Sequence, residues 1–389
     1  MIITPKVRNN IFINAHPVGC EKEVERQISY VKSHGQIEGA KKVLVIGCSS
    51  GFGLASRIAS AFGCNADTVG VMYEREGSDK RTGTPGWYNM RAFERFAGIE
   101  GLYAGTVNGD AFSDEVKKQT ISLIKENLGK ADLVVYSLAS PVRTDPNDGI
   151  TYRSSLKPIG RTYKAKAVDA MSWEVTETEI EPATDDEIES TVKVMGGEDW
   201  ILWIEALKAA DVISQGCITV AYSYIGPEVT FPIYRSGTIG KAKEHLEASV
   251  SEINRLLEPL NGKGYVSVNK ALVTKASAVI PVVPLYIALL FHVMKEQGSH
   301  EGCIEQIVRL YTDRLFCDGS PEVDNEGRIR IDDWEMAAPV QTAVKELWDK
   351  ANSDNLKDIG DLEGYKKDFL NLNGFDVDGV DYSADVTDL

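Results

Sequence analysis

A chain of 389 residues, 43% hydrophobic and 26% charged, has the balance of a folded globular protein with a sizeable core, which excludes disordered, collagenous and linker-like classes. Its formal net charge of −16 repels nucleic acid and anionic lipid at long range, so neither is expected as a partner. Six cysteines without C-x-x-C spacing fit reduced thiols rather than a disulfide framework or a metal site, and MIITPKVRNNIF shows no signal-peptide pattern, so a cytoplasmic location without membrane attachment is expected.

Val24, Ile28 and Val31 at helical spacing predict a leading helix over 21–40. KKVLVIG (41–47) then reads as a buried strand ending in glycine, and SRIASAFG (56–63) as a helix with a glycine stop. Further strands are predicted at 67–74, 99–110 and 131–140, with a helix over 113–129 between the last two. Between 143 and 198 helical period is weak, and alternating Thr, Tyr and Val predict a β-ribbon with an acidic loop. Apolar runs at 217–226 and 263–274 bring the strands to six or seven. The apolar run 276–291 is shorter than a membrane span of about 20 residues and carries Pro281 and Pro284, so it reads as a buried wall. The acidic tail from about 352 is expected to pack as an irregular strap.

Strands alternating with amphipathic helices imply right-handed crossovers and a parallel sheet. The expected fold class is α/β, a Rossmann-type doubly wound sheet in one enlarged domain spanning 1–389. Residues 143–198 form a β-ribbon insertion at the ligand-facing end, a substrate lid.

Gly47, Gly51 and Gly53 stand as G-x-x-x-G-x-G between a predicted strand and a predicted helix. Glycines in that context let the backbone approach a pyrophosphate, whose charge meets amide groups and the positive helix end. Glu74, about 27 residues beyond Gly47, closes the second strand where an acidic residue accepts from the adenosine ribose. A carboxylate there repels a 2′-phosphate and points to NADH, while neighbouring Arg75 leaves a phosphate reading open. Asp110 with Ala111, and Leu138 with Ala139, close the third and fourth strands on the same face.

The stretch YSYIGPEVTFPIYRSGTIGKAK (222–243) places Tyr224 and Tyr234 past a strand end and Lys243 in the first turns of a long amphipathic helix. A phenol titrates near pH 10, too high for easy proton exchange near neutrality, and a nearby ammonium lowers that value. Tyrosines capping a core beside solvated lysines are the plainer alternative, and the upstream glycine turn tips the balance toward chemistry.

YSYIGP followed by PIY, GTIG and AK resembles the FabV-type trans-2-enoyl-CoA and enoyl-acyl-carrier-protein reductases, enlarged relatives of the short-chain dehydrogenase/reductases. Eight residues separate Tyr234 from Lys243, as in that family, where the usual short-chain pattern leaves three. GCSSGFGLASRIA, SLASPVR, VTKASAVIPVVPLY and NLNGFDVDGVDY extend the resemblance over essentially the whole chain. It implies NADH-dependent reduction of an enoyl-CoA or enoyl-acyl-carrier-protein thioester. Tyr234 would donate the proton, Lys243 would hold the cofactor ribose and acidify that phenol, and Tyr224 would contact the substrate. Gly47, Cys48, Ser49, Ser50, Gly51, Phe52, Gly53, Tyr73, Glu74, Asp110, Ala111, Leu138, Ala139, Leu272, Val273 and Thr274 would line the cofactor. Phe52 stands where many relatives carry tyrosine, which removes any hydroxyl contact there.

The run around Pro281 and Pro284, with the insertion, would form the acyl pocket. Lys157, Arg161, Lys164 and Lys166 are candidates for CoA phosphates or an acidic carrier surface, against the ordinary reading of a solvated charged face. A monomer is expected from the insertion and the long carboxyl-terminal extension. A carbonyl reductase on the same scaffold would need a hydroxyl near the tyrosine, for which Ser137 and Ser140 are the available groups, and a non-catalytic NADH sensor would dispense with the tyrosine and lysine.

Overall fold

The computed structural model describes residues 1–8, 11–168, 173–280, 282–317 and 319–387. Seven strands make the central sheet: β1 (Lys42–Ile46), β2 (Asp67–Met72), β3 (Ala104–Asn108), β4 (Ala131–Tyr136), β5 (Ile213–Ser223), β6 (Lys263–Val268) and β7 (Ile329–Arg330). Their spatial order is β7-β6-β5-β4-β1-β2-β3, and every pairing is parallel. The order reverses between β1 and β4, which opens a crevice outside their carboxyl ends.

Strands buried on both faces read as unbroken apolar runs, and β1 shows why. Val43 and Val45 point into a core shared with the helices Pro17–Ser33, Gly51–Ile58 and Cys303–Leu310. Leu44 and Ile46 point the other way, toward Trp200, Trp203 and Leu207 of the helix Glu198–Ala209 and toward Ile253 of Val250–Leu257. All four β1 side chains are fully buried. A third core gathers around the helix Val283–Glu296, where every residue from Leu285 to Phe291 is at 0% exposure. This bears out the buried wall read from 276–291, although Pro281 lies outside the described residues.

Several boundaries differ from expectation. The helix Pro85–Ile99 occupies the approach to β3, so the third strand begins at Ala104 rather than 99; Pro85 in its first turn was the available start signal. Residues 142–144 and 151–153 pair as one antiparallel hairpin, and 163–168 and 175–180 as another, as the ribbon reading requires; 169–172 lie outside the described residues. The rest of the insertion is corrected: Asp185–Met195 is a helix, started by a capping box between Thr184 and Glu187. Only Thr191 and Val194 of that helix are buried, which explains the faint apolar period. The strap also contains a helix, Leu362–Asn371, whose Tyr365 and Phe369 enter the third core. Strands β4, β5 and β6 stop at Tyr136, Ser223 and Val268, so Leu138, Ala139 and the 272–274 segment sit in the loops beyond them.

Candidate active site

The glycine turn is built by packing as much as by φ. Gly47 has φ +84°, and a Cβ there would overlap the Ser137 carbonyl; a Cβ on Gly53 would overlap the Gly47 carbonyl. Gly51, also left-handed at φ +55°, faces Thr274 across van der Waals distance. The helix Gly51–Ile58 begins at Ser50 with no side-chain cap, so its first-turn N–H groups stay available to an anion. These residues fit a dinucleotide pyrophosphate. Ser49 Oγ donates to Glu74 Oε1 at 2.6 Å, which ties the carboxylate to the turn, and Lys275 stands 3.7 Å from the same oxygen. Arg75 turns back onto its own loop, donating to the Thr82 carbonyl at 3.3 Å.

The other predicted cofactor contacts divide by exposure. Tyr73 is 80% exposed beside Glu74, and Ala139 is exposed past the end of β4. Leu138 packs against Gly47, and Asp110 Oδ1 accepts from Phe112 N at 3.0 Å. Cys48 and Ala111 are buried, the first against Met90 and Arg57 and the second with its carbonyl accepting from Trp203 Nε1 at 3.1 Å. The Cys48 sulfur fills the core, which leaves its backbone to line the turn. Leu272 and Val273 are likewise buried, in the third core.

Lys243 lies on the helix Thr238–Ala248, which follows directly on the turns that hold Tyr234. The Tyr234 carbonyl accepts from both Gly237 N and Gly240 N at 3.0 Å. The Lys243 ammonium donates to the Tyr222 carbonyl at 2.9 Å, at the end of β5. Tyr224 follows and sets its ring edge-on to Tyr234, centroids 4.7 Å apart and planes at 88°. Phe52, inside the glycine turn, reaches the Tyr222 ring at 5.7 Å. The fold thus brings Tyr224, Tyr234 and Lys243 to the crevice that the glycine turn borders.

The electrostatics differ from the expected direct acidification. Burial pushes the Tyr234 phenol above its ordinary range, with no counteracting pull from Lys243, because the ammonium is turned to a backbone carbonyl. Burial also brings Lys243 down to about 8, with Glu247 opposing.

Sequence reasoning missed a buried polar group beneath the tyrosine pair. Glu335, at 0% exposure, accepts from Tyr224 Oη at 3.1 Å, from Tyr286 Oη at 2.6 Å and from the Ala271 N–H at 2.7 Å. Lys270, 2% exposed, donates to the Ala271 carbonyl at 3.1 Å, and burial brings it to about 8 against the pull of Glu335. Their positions carry no motif, and Glu335 follows Asp332 and Asp333 in a charged run that reads as ordinary surface. Among the proposed phosphate-binding cations, Lys157 pairs with Glu187 at 2.6 Å and Lys164 with Glu179 at 3.1 Å, while Lys166 donates to the Trp348 and Ala351 carbonyls. Lys157 and Lys164 pair inside the insertion and Lys166 ties it to the 348–351 segment, while Arg161 and Lys164 are exposed. Of the hydroxyls a carbonyl reductase would need, Ser140 donates to the Val142 carbonyl at 2.7 Å, and Ser137 packs on Gly53 at the glycine turn.

Family models agree with this layout. The trans-2-enoyl-CoA reductase catalytic region matches residues 81–316, and the NAD(P)H binding domain of trans-2-enoyl-CoA reductase matches 2–79. A third, the enoyl reductase FAD binding domain, matches 323–386. That segment supplies β7, Glu335 and helices packed into the third core; among its described residues no strand, glycine turn and helix like 42–58 occurs, so it does not fit a flavin dinucleotide cradle. The enoyl-[acyl-carrier-protein] reductase [NADH] of Flavobacterium johnsoniae is 58% identical over 389 residues, covering 100% of this chain and 98% of that protein. The trans-2-enoyl-CoA reductase [NADH] of Ruminiclostridium cellulolyticum is 56% identical over 386 residues, covering 99% and 98%. The crystal structure of Treponema denticola trans-2-enoyl-CoA reductase in complex with NAD superposes with a TM-score of 0.96 at 56% identity, covering 99% of this chain and 98% of that one. With family models over 2–79 and 81–316, this identity along its full length and a TM-score of 0.96, the chain belongs to the trans-2-enoyl-CoA reductase family.

Proposed function

We infer that this protein reduces the carbon–carbon double bond of trans-2-enoyl thioesters with NADH. The observation that carries the reading is the Tyr224–Tyr234 pair, 4.7 Å between centroids, beside Lys243 at the end of β5 and next to the glycine turn. The chemistry that NADH would supply here, when held by these residues, is a hydride for the β-carbon. Negative charge then gathers on the thioester oxygen, where hydrogen bonds from the tyrosine pair stabilise it, and Tyr234 is the group assigned to deliver the proton for the α-carbon. Lys243 holds the cofactor ribose, and Glu74 accepts from the adenosine ribose while repelling a 2′-phosphate. The apolar wall around Pro284 and the insertion, tied to the helix of Lys243 by Lys157 and Thr238, shield the acyl chain from water. On this reading the chain is one enlarged domain with 143–198 as its lid.

The finer assignment is a cytoplasmic monomer acting in fatty acid metabolism on enoyl-CoA or enoyl-acyl-carrier-protein. The free cysteines support the location and the insertion with the long carboxyl-terminal extension the monomer; among the described residues no helix is long and apolar enough to cross a membrane. Matched CoA and carrier-protein thioesters, compared by kcat/KM, decide the natural handle. The reaction itself is checked by mixing protein, NADH and crotonyl-CoA and following the absorbance of reduced nicotinamide. Decay that depends on crotonyl-CoA is expected; its absence, beside rapid decay with a panel of ketones, overturns the reading.

Lys243 also sets a pH dependence. With the amine at about 8, its charged fraction falls as pH rises through that value, and with it the grip on the ribose. kcat/KM for NADH is expected to fall above about pH 8, approaching tenfold per pH unit. Lys243→Arg, charged throughout, removes that limb, whereas Lys270→Arg keeps it; the opposite result assigns the titration to Lys270.

A further inference from the structure

Glu335 enters the site from the segment after β7, far in sequence from the residues it touches. Its Oε1 takes both phenols, Tyr224 at 3.1 Å and Tyr286 at 2.6 Å, and its Oε2 takes the Ala271 N–H at 2.7 Å. Gln341 Nε2 donates to the Tyr286 hydroxyl oxygen at 3.2 Å and to the Glu335 carbonyl at 2.7 Å. That bond settles the direction at Tyr286, whose single proton goes to the carboxylate. A carboxylate without its proton can only accept, so Tyr224 also donates its one proton to Glu335. The same proton is what a thioester oxygen at the Tyr224–Tyr234 pair would need.

We propose that Glu335 is a positioning residue of the reductase: it holds the Tyr224 hydroxyl edge-on to Tyr234 by accepting its proton, and the substrate's thioester oxygen competes with it for that proton. The inference rests on the enoyl-reductase reading. It makes the segment between β7 and the helix Ala338–Lys350 part of the reaction site. Burial raises the Glu335 carboxyl above its ordinary range, and the Lys270 ammonium, the Tyr286 hydroxyl and the Ala271 N–H oppose that shift by favouring the accepting carboxylate. Tyr224 therefore rests in one rotamer, placed before substrate arrives.

The test is a double-mutant cycle on crotonyl-CoA reduction. Glu335→Ala should lower kcat/KM for crotonyl-CoA about tenfold, the scale of losing a hydrogen bond to a charged group, with the NADH dissociation constant within about twofold. In a Tyr224→Phe background the same change should have less than about a twofold effect, because no hydroxyl is left to hold. Equal losses in both backgrounds mean Glu335 acts only through general packing and overturn the proposal. If the alanine variant does not fold, near-isosteric Glu335→Gln runs the same cycle under the same criterion. Independently of turnover, labelling with [13Cζ]tyrosine identifies the Tyr224 resonance by its loss in Tyr224→Phe; Glu335→Gln should shift it, and an unmoved signal overturns the contact. Unchanged protein that fails to oxidise NADH with crotonyl-CoA sinks the reductase reading instead, a result distinct from additivity in the cycle.

Discussion

Tyr234→Phe lowers kcat on crotonyl-CoA by about 10²–10⁴-fold, the usual contribution of a positioned proton donor, while NADH affinity stays near that of the unchanged protein. The variant keeps the ring, so the 4.7 Å edge-to-face contact with Tyr224 and the turn anchored on the Tyr234 carbonyl both survive. What disappears is one hydroxyl at the end of β5. Burial has raised that phenol rather than lowered it, so the proton stays on oxygen near neutrality and is available to give. Single-turnover measurements with saturating NADH, compared with the cofactor dissociation constant from fluorescence, check both halves. A kcat within about threefold of the unchanged protein removes Tyr234 from the donor role, since that falls far short of a proton-transfer contribution.

Gly47→Ala is expected to weaken NADH binding by about 10–100-fold, because the left-handed φ and the overlap with the Ser137 carbonyl together cost about 1–3 kcal/mol of backbone strain at the phosphate turn. The strain has only two outlets. Either Gly47 rotates out of φ +84° and the amides after it lose their aim, or the loop after β4 retreats and carries Leu138 away from the crevice. Both harm the cofactor site before they harm the tyrosine pair, so KM for NADH should rise more than KM for crotonyl-CoA. Gly129→Ala is the control: it shares the positive φ, at +75°, yet a Cβ there meets nothing, and it lies at the amino end of β4, away from the crevice. Equal effects on NADH binding from both substitutions would show that φ strain alone, without the close approach, accounts for the loss.

How far the chain could be read depended on the distance over which each feature is encoded. The glycine turn was legible because strand, glycines and helix are contiguous, and Gly47, Gly51 and Gly53 each meet a constraint that glycine relieves. Tyr234 and Lys243 were legible for the same reason, lying on one turn and the helix that follows it. The helix Asp185–Met195 escaped because so little of it is buried, although Thr184 and Glu187 carried a start signal. Lys157, Lys164 and Lys166 were readable as charges, but not as charges already paired with Glu187, Glu179 and backbone carbonyls.

Sequence alone determined what short-range physics controls: a parallel α/β sheet from its apolar runs, a tight strand-to-helix turn from its glycines, and a tyrosine and lysine at a spacing that resembles one family. The tertiary structure decided which way each polar group points. Lys243 bonds a strand-end carbonyl, and Glu335 reaches Tyr224 across 111 positions of the chain. Such contacts arise from packing among three cores, and a buried charge must find its partner wherever the fold brings one within about 3 Å.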